Sequence, residues 1–278
     1  MPIIDCQVHC YEHNHPGRPW FRHLHGPDHV TGDETVAEMD KVGVDGAILV
    51  SPFNVYRYDA SYALEVAARH PSKFALVKPV DPEDPGVAET IEDWAKTKGT
   101  VAIRLMMAYG LPEDPANPGI ARVLTEAAKH GLAVNLLAWG RLEQAKAMAA
   151  SHPDTQLVID HIGLRQPWEP PKPEAPWADL PKVLALAEHR NVAIKISGAG
   201  VLAKEPYPFP DIWEPLGRIF DAFGMERCLW GTDWTRATAF LDYRQGVDAF
   251  RLTDRLSESD KAMLMGGAAT RVYGWAPG

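Results

Sequence analysis

Apolar residues along this chain alternate between two textures. Short β-branched or apolar runs recur eight times, as MPIIDCQVH, DGAILVSP, KFALVKPV, TVAIRLMM, LAVNLLAW, TQLVIDHIG, VAIKISG and RCLWGTDW. Between them lie longer stretches with helical periodicity and readable ends. Asn117 and Pro118 stand as N-cap and first residue of PGIARVLTEAAKH, and Gly131 stops it; Asp33 and Gly43 frame another helix, and Gly224 ends a third. Strand and helix alternating eight times predict an α/β fold of parallel units closed into a TIM-type (β/α)8 barrel. An open doubly wound sheet usually has fewer strands and a Gly-rich phosphate turn. No GxGxxG or GxxxxGK[ST] motif occurs.

Connection lengths add a direction. Helix-to-strand links are short, as in KVGVDGAI, KHGLAVNL and HRNVAIKI, whereas three strand-to-helix links are long: 10–32, 162–177 and 199–210. In a parallel barrel every strand-to-helix link emerges on the C-terminal face, where barrel active sites are built. These three segments are expected to act as partial lids.

Polar residues interrupt the strands near that face. Side chains alternate along a strand, so Gln7 and His9 share one side of the first strand, with Cys6, Val8 and Cys10 on the helix-facing side. Arg104, Asn135, His161, Lys195 and Asp233 fall late in the fourth to eighth strands. For any one of them a self-satisfied buried network is as good an account as function. As a set, gathered at one end of an otherwise apolar barrel, they point to substrate chemistry.

The bulk numbers narrow the partners. At 278 residues with 46% hydrophobic content, the chain can bury roughly three quarters of its unfolded surface, and no Gly/Ser linker or charge run divides it, so residues 1–278 are read as one domain. A net charge of -9 without a basic stripe disfavours nucleic acid and anionic membranes and leaves a small-molecule substrate. Cys6, Cys10 and Cys228 lack paired metal spacing and read as small core hydrophobes. With no signal-like N-terminus and no apolar run of membrane length, the expected location is the cytoplasm.

IDCQVH, VIDHIGL and LWGTDW, in this order between Ile4 and Trp234, resemble the amidohydrolase-related family. The similarity is greatest to its metal-independent lactonase branch, which includes 2-pyrone-4,6-dicarboxylate lactonase and sugar lactonases. The resemblance implies a first-strand His-x-His, a sixth-strand His and an eighth-strand Asp, which map to Gln7-Val8-His9, His161 and Asp233. The first histidine is replaced by Gln7, and the fifth strand offers Asn135 instead of a histidine. Gln7 is a poor zinc ligand beside imidazole, so a site without metal is expected; if an ion is held, a single Zn or Mn would sit on His9, His161 and Asp233.

The expected reaction is opening of a lactone, or cleavage of an ester, of a small carboxylated or hydroxylated metabolite. Asp233 would take a proton from the attacking water, while His9, His161 and the Gln7 amide polarise the carbonyl. Arg104 suits a substrate carboxylate, with a salt bridge to Asp5 or another buried acid as the equal alternative. Lys195 would contact substrate or pair with Asp233. Tyr109, Trp139, Arg165 and Arg236 directly follow strands and are pocket candidates, although ordinary loop packing accounts for each singly. The first long loop carries His13, His15, His23, His25 and His29 with Arg18, Trp20 and Arg22 interleaved, and solvated or substrate-facing histidines fit it better than a second metal site. WEPPKPEAPW reads as a stiff polyproline-like lid segment or a subunit contact, as in a homodimer. The rival readings are a metal-dependent decarboxylase of the same superfamily and a non-catalytic metabolite-binding barrel.

Overall fold

The computed structural model describes residues 1–22, 25–109, 112 and 114–278. All eight anticipated strands form: β1 (Ile4–Val8), β2 (Gly46–Val50), β3 (Phe74–Pro79), β4 (Thr100–Leu105), β5 (Ala133–Leu136), β6 (Leu157–Ile159), β7 (Val192–Lys195) and β8 (Cys228–Leu229). They pair in sequence order, all in parallel. The seam from β8 back to β1 is held by two backbone bonds, Cys6 N–H to the Trp230 carbonyl (3.1 Å) and Asp233 N–H to the Gln7 carbonyl (2.9 Å). Gly231 permits this approach, because a Cβ there would meet Cys6 Sγ at 2.8 Å and the Gln7 nitrogen at 3.1 Å. The fold is a (β/α)8 barrel.

Alternation divides the strand residues between two apolar layers. Leu49, Leu76, Ile103, Leu136 and Ile194 pack outward into the cluster shared with the helices. Ile48, Val77, Ala102, Ala133, Val158 and Leu229 fill the barrel floor together with Ala268, Ala269 and Tyr273 of the helix Ala268–Tyr273. The Tyr273 hydroxyl donates to Asn135 Oδ1 at 3.0 Å, plugging the interior from below.

Cys6 departs from the expected parity. On β1 three residue steps, Asp5 to Val8, stand against two on β2, Ala47 to Leu49. This is a bulge, which interrupts side-chain alternation. Cys6 therefore belongs to the floor cluster, while Cys10, bonded to Thr35 Oγ1 at 3.1 Å, and Cys228 lie in the outer layer. All three cysteines are free thiols.

The helix ends follow local chemistry with one correction. Asn117 Oδ1 accepts from the Gly119 and Ile120 amides, Pro118 opens the helix Pro118–Lys129, and Ile120, Val123, Leu124 and Ala127 form its buried stripe. The helix Gly32–Val42 is capped by Thr31, not Asp33, because Thr31 and Glu34 form a reciprocal capping box. Asp33 lies in the first turn and bonds His70 and Arg69 instead. Gly43 ends that helix in the left-handed conformation at φ 71°.

Of the three long links, 10–32 is pinned by antiparallel bridges Tyr11–Val30 and His15–Arg18. Segment 162–177 contains a cis Pro170–Pro171 bond, and 199–210 contains the short helix Ala199–Leu202 and a cis Tyr207–Pro208 bond. Among the described residues no helix is long and apolar enough to cross a membrane.

Candidate active site

Three side chains separated widely in sequence meet at the C-terminal mouth. His9 Nε2 lies 3.5 Å from Asp233 Oδ1, and His161 Nε2 lies 3.8 Å from Asp233 Oδ2. All three residues are buried. His161 (φ 51°), Ile162 (φ 61°) and Asp233 (φ 52°) adopt left-handed backbone conformations. For non-glycine residues, and above all for β-branched Ile162, this conformation is held against a cost of order 1–3 kcal/mol each. Strain of this kind concentrates where a fold must aim side chains for chemistry.

A fully buried network beneath the three groups fixes their hydrogens. The Lys195 ammonium can only donate, so its 2.7 Å contact identifies the Gln7 oxygen, and the Gln7 amide N–H must then face His9 Nε2, 3.2 Å away. Independently, the Val50 carbonyl can only accept, so His9 Nδ1, 2.6 Å from it, carries the hydrogen. Both arguments give neutral His9 a lone pair on Nε2. At His161, Arg104 Nη2 approaches Nε2 at 3.5 Å and Ser197 Oγ approaches Nδ1 at 3.0 Å, again leaving Nε2 as the acceptor.

Asp160 ties the network together. Its carboxylate receives Arg104 Nε at 2.7 Å and Lys195 Nζ at 3.0 Å, all three side chains being buried. Burial alone would raise this carboxyl, but Arg104 and Lys195 outweigh it and hold it well below the usual range. Asp233 lacks such a partner; burial pushes it up to about 7 against the opposing pull of Arg236 and Arg104. Burial likewise lowers His161 to about 3 and His9 well below its ordinary value, with Arg104 adding to the effect on His9, so both rings are neutral. The strongest base in the group near neutral pH is therefore Asp233.

These groups open into a narrow cleft lined by His9, His161, Asp233, Arg104 and Arg236 and walled by Phe53, Tyr109, Trp139 and Trp168. Arg236 Nη1 donates to the His25 carbonyl at 3.0 Å, and its guanidinium lies 4.5 Å from the Trp168 ring centroid. His25 also stacks on Trp168 at 6.5 Å and pairs with Glu169 at 3.1 Å, so the first and sixth strand-to-helix links meet at the mouth.

Several expected roles move. Gln7 does not line the cleft, because its oxygen is held by Lys195 and its amide by His9. Neutral His9 and His161 present acceptors at Nε2, so neither ring can donate from there to a carbonyl oxygen. Lys195 pairs with Asp160 and Gln7, not Asp233, and Asn135 bonds Tyr273; both are fully buried below the cleft. Arg165 is exposed and faces a separate groove along the Pro-rich segment. Arg104 takes the buried-acid alternative, with Asp160 as the acid instead of Asp5, whose carboxylate accepts from Thr232. Tyr109, Trp139 and Arg236 do line the cleft.

The loop histidines pair singly with glutamates: His15 with Glu12, His29 with Glu34, and His25 with Glu169; His13 packs against His29 at 3.9 Å. Acidic partners are thus nearer than the sequence spacing implies, but they are distributed. His23 lies outside the described residues. Sequence reasoning missed Asp160, for which the signal was a carboxylate inside the apolar run LVID, and Phe53 and Trp168, which loop folding delivers without any periodic signature.

A divalent ion fits this donor set poorly. The His9 lone pair already accepts the Gln7 amide hydrogen. Among the described residues, no three His, Cys, Asp or Glu side chains are grouped to hold a metal.

Comparison with known proteins bears on the family and the fold. The amidohydrolase family model matches residues 4–275. An L-fucono-1,5-lactonase from Burkholderia ambifaria is 30% identical over 250 residues, covering 84% of this chain and 82% of its own. Among solved structures, an amidohydrolase from Burkholderia multivorans superposes with a TM-score of 0.80 at 22% identity, over 99% of each chain. Another, described as a probable 2-pyrone-4,6-dicarboxylic acid hydrolase from Acinetobacter baumannii with citric acid bound, gives 0.79 at 19% identity, over 99% of this chain and 100% of that one. The chain belongs to the amidohydrolase family and is a hydrolase of that family.

Proposed function

We propose that this protein opens a small lactone by metal-free hydrolysis, with Asp233 as general base. The observation that carries the reading is the convergence of a desolvated carboxylate, raised to about 7, with two neutral imidazoles at the cleft floor. The lactonase name of the Burkholderia ambifaria relative and the hydrolase description of the Acinetobacter baumannii structure support a lactone as substrate class.

Ionised Asp233 takes a proton from water as the water oxygen bonds to the lactone carbonyl carbon. The developing oxyanion needs hydrogen-bond donors, and the imidazole Nε2 atoms are acceptors; the guanidinium group of Arg104 on the cleft surface supplies them instead. Protonated Asp233 then returns its proton to the ring oxygen as the carbon–oxygen bond breaks, yielding the hydroxy acid. The His9 ring, its Nε2 lone pair held by the Gln7 amide, packs beside Asp233 Oδ1 and keeps the carboxylate out of bulk water. Lys195 and Gln7 are positioning residues that fix the His9 tautomer.

The test is a panel of aldonolactones, unsaturated lactones and simple esters assayed with the wild type and Asp233→Asn. Turnover of at least one lactone that falls by about 10²-fold or more in the folded variant is expected. Unchanged activity in Asp233→Asn rejects the assignment.

A further inference from the structure

The cleft holds a cation that no carboxylate among the described residues meets in an ion pair. Three cationic side chains are buried in the described chain: Arg104, Lys195 and Arg236. Arg104 and Lys195 share the Asp160 carboxylate, within 2.7 and 3.0 Å. Arg236, only 8% exposed, has no carboxylate within ion-pair distance among the described residues; its hydrogen bond goes to the neutral His25 carbonyl and its face to the Trp168 ring. The nearest functional acid, Asp233, is itself pushed up to about 7 by burial and so is largely uncharged below neutrality. An unpaired buried cation is costly, and a fold keeps one where an anion arrives from outside.

Two further features fit an arriving anion. The Trp139 indole N–H is buried on the same cleft wall as a donor with no acceptor among the described residues. The Arg236 side chain is also held in place, by the His25 carbonyl on one N–H and by the Trp168 ring over its face, so little side-chain freedom remains to be lost on binding.

We infer that Arg236 is the anchor for a substrate carboxylate, and that the substrate is a lactone carrying an acid group rather than a neutral sugar lactone. The anchor rests only on the cleft being the substrate site, and the lactone identity rests on the proposed hydrolysis. The carboxylate pairs with the Arg236 guanidinium through its free N–H groups, with Trp139 Nε1 as a further donor on the wall. The pairing both compensates the buried cation and sets the carbonyl beside Asp233.

The experiment is calorimetric titration at pH 6 with glutarate and with its neutral diamide, glutaramide, on the wild type, Arg236→Met and Arg236→Lys. Saturable glutarate binding by the wild type is expected, weakened at least tenfold in Arg236→Met and less in Arg236→Lys, which keeps the charge but loses the fork. Glutaramide should bind all three proteins equally weakly. Absence of saturable glutarate binding, full glutarate affinity in Arg236→Met, or equal wild-type affinity for diamide and dianion each overturns the inference. A folded Arg236→Lys keeps the comparison interpretable if Arg236→Met is misfolded. If glutarate binds through Arg236 but no lactone is opened, the hydrolytic reading fails alone; if lactones are opened and Arg236→Met is indifferent to charge, the anchor fails alone.

Discussion

Asp233→Asn should make the protein more stable in alkali while removing its activity. The ionised carboxylate sits buried with its Oδ1 unpartnered, and burial lifts it from 3.8 to about 7. In the unfolded chain the same group ionises near its ordinary value. Between these two values the folded state binds the extra proton, so this residue's contribution to stability falls as pH rises from about 4 to about 7 and is constant above. The full penalty is roughly 4 kcal/mol at pH 8.5 and about 1 kcal/mol at pH 4.5, using 1.36 kcal/mol per pH unit. Asparagine never ionises, and it tolerates the left-handed backbone that position 233 requires, at φ 52° and ψ 36°. The advantage of Asp233→Asn over wild type should therefore widen by roughly 3 kcal/mol between pH 4.5 and 8.5, because other titrating groups cancel in the difference. Urea unfolding of both proteins at the two pH values measures it. A difference that stays constant within about 1 kcal/mol would refute both the desolvation argument and the choice of Asp233 as the perturbed base.

Further outcomes follow from the same site. Since Asp233 works deprotonated, kcat/KM should climb about tenfold per pH unit up to about 7 and then level; a pH–rate profile that falls through 7 contradicts the base assignment. Asp160→Asn leaves Arg104 and Lys195 uncompensated and should cost about 3–5 kcal/mol. Adding Lys195→Met should restore part of it, a coupling of about 0.5–3 kcal/mol in a denaturation cycle that strictly additive losses would exclude. Because the Asp160 carboxyl is held below its ordinary value, its stabilisation is complete above about pH 4 and disappears on further acidification, so the Asp160→Asn deficit should shrink there. Exhaustive chelation should leave turnover intact, with elemental analysis giving well below one zinc or manganese per chain; stoichiometric metal with loss of activity on its removal would favour the decarboxylase alternative.

The strand count was legible because it follows from short-range regularities, but His161 and Asp233 stand in the turns just past β6 and β8 instead of within the strands, which end at Ile159 and Leu229. Eight apolar runs read as eight strands, and parity placed Arg104, Asn135 and Lys195 on the interior side, where their partners Asp160, Tyr273 and Gln7 lie. Parity failed at Cys6, since a bulge adds a residue that no local composition announces. Which interior groups reach the cleft was hidden as well. Lys195 and Asn135 are inward yet submerged, because Asp160 and Tyr273 engage them, and those pairings depend on which strand ends at which height. Phe53 opens the short helix Phe53–Tyr56 after β2 and Trp168 lies in the link after β6, stretches whose direction no periodic pattern sets. Hydrogen positions at His9 became readable once its contacts to the Val50 carbonyl and to the Lys195-bound Gln7 were known.

The left-handed residues His161, Ile162 and Asp233 have a bearing on laboratory evolution. A selection that rewards heat resistance alone would favour glycine or asparagine at these three places, since either relaxes the chain there. Variants recovered that way would grow hardier as they lost their chemistry, and the first codons to drift would mark the reactive centre without any substrate being supplied.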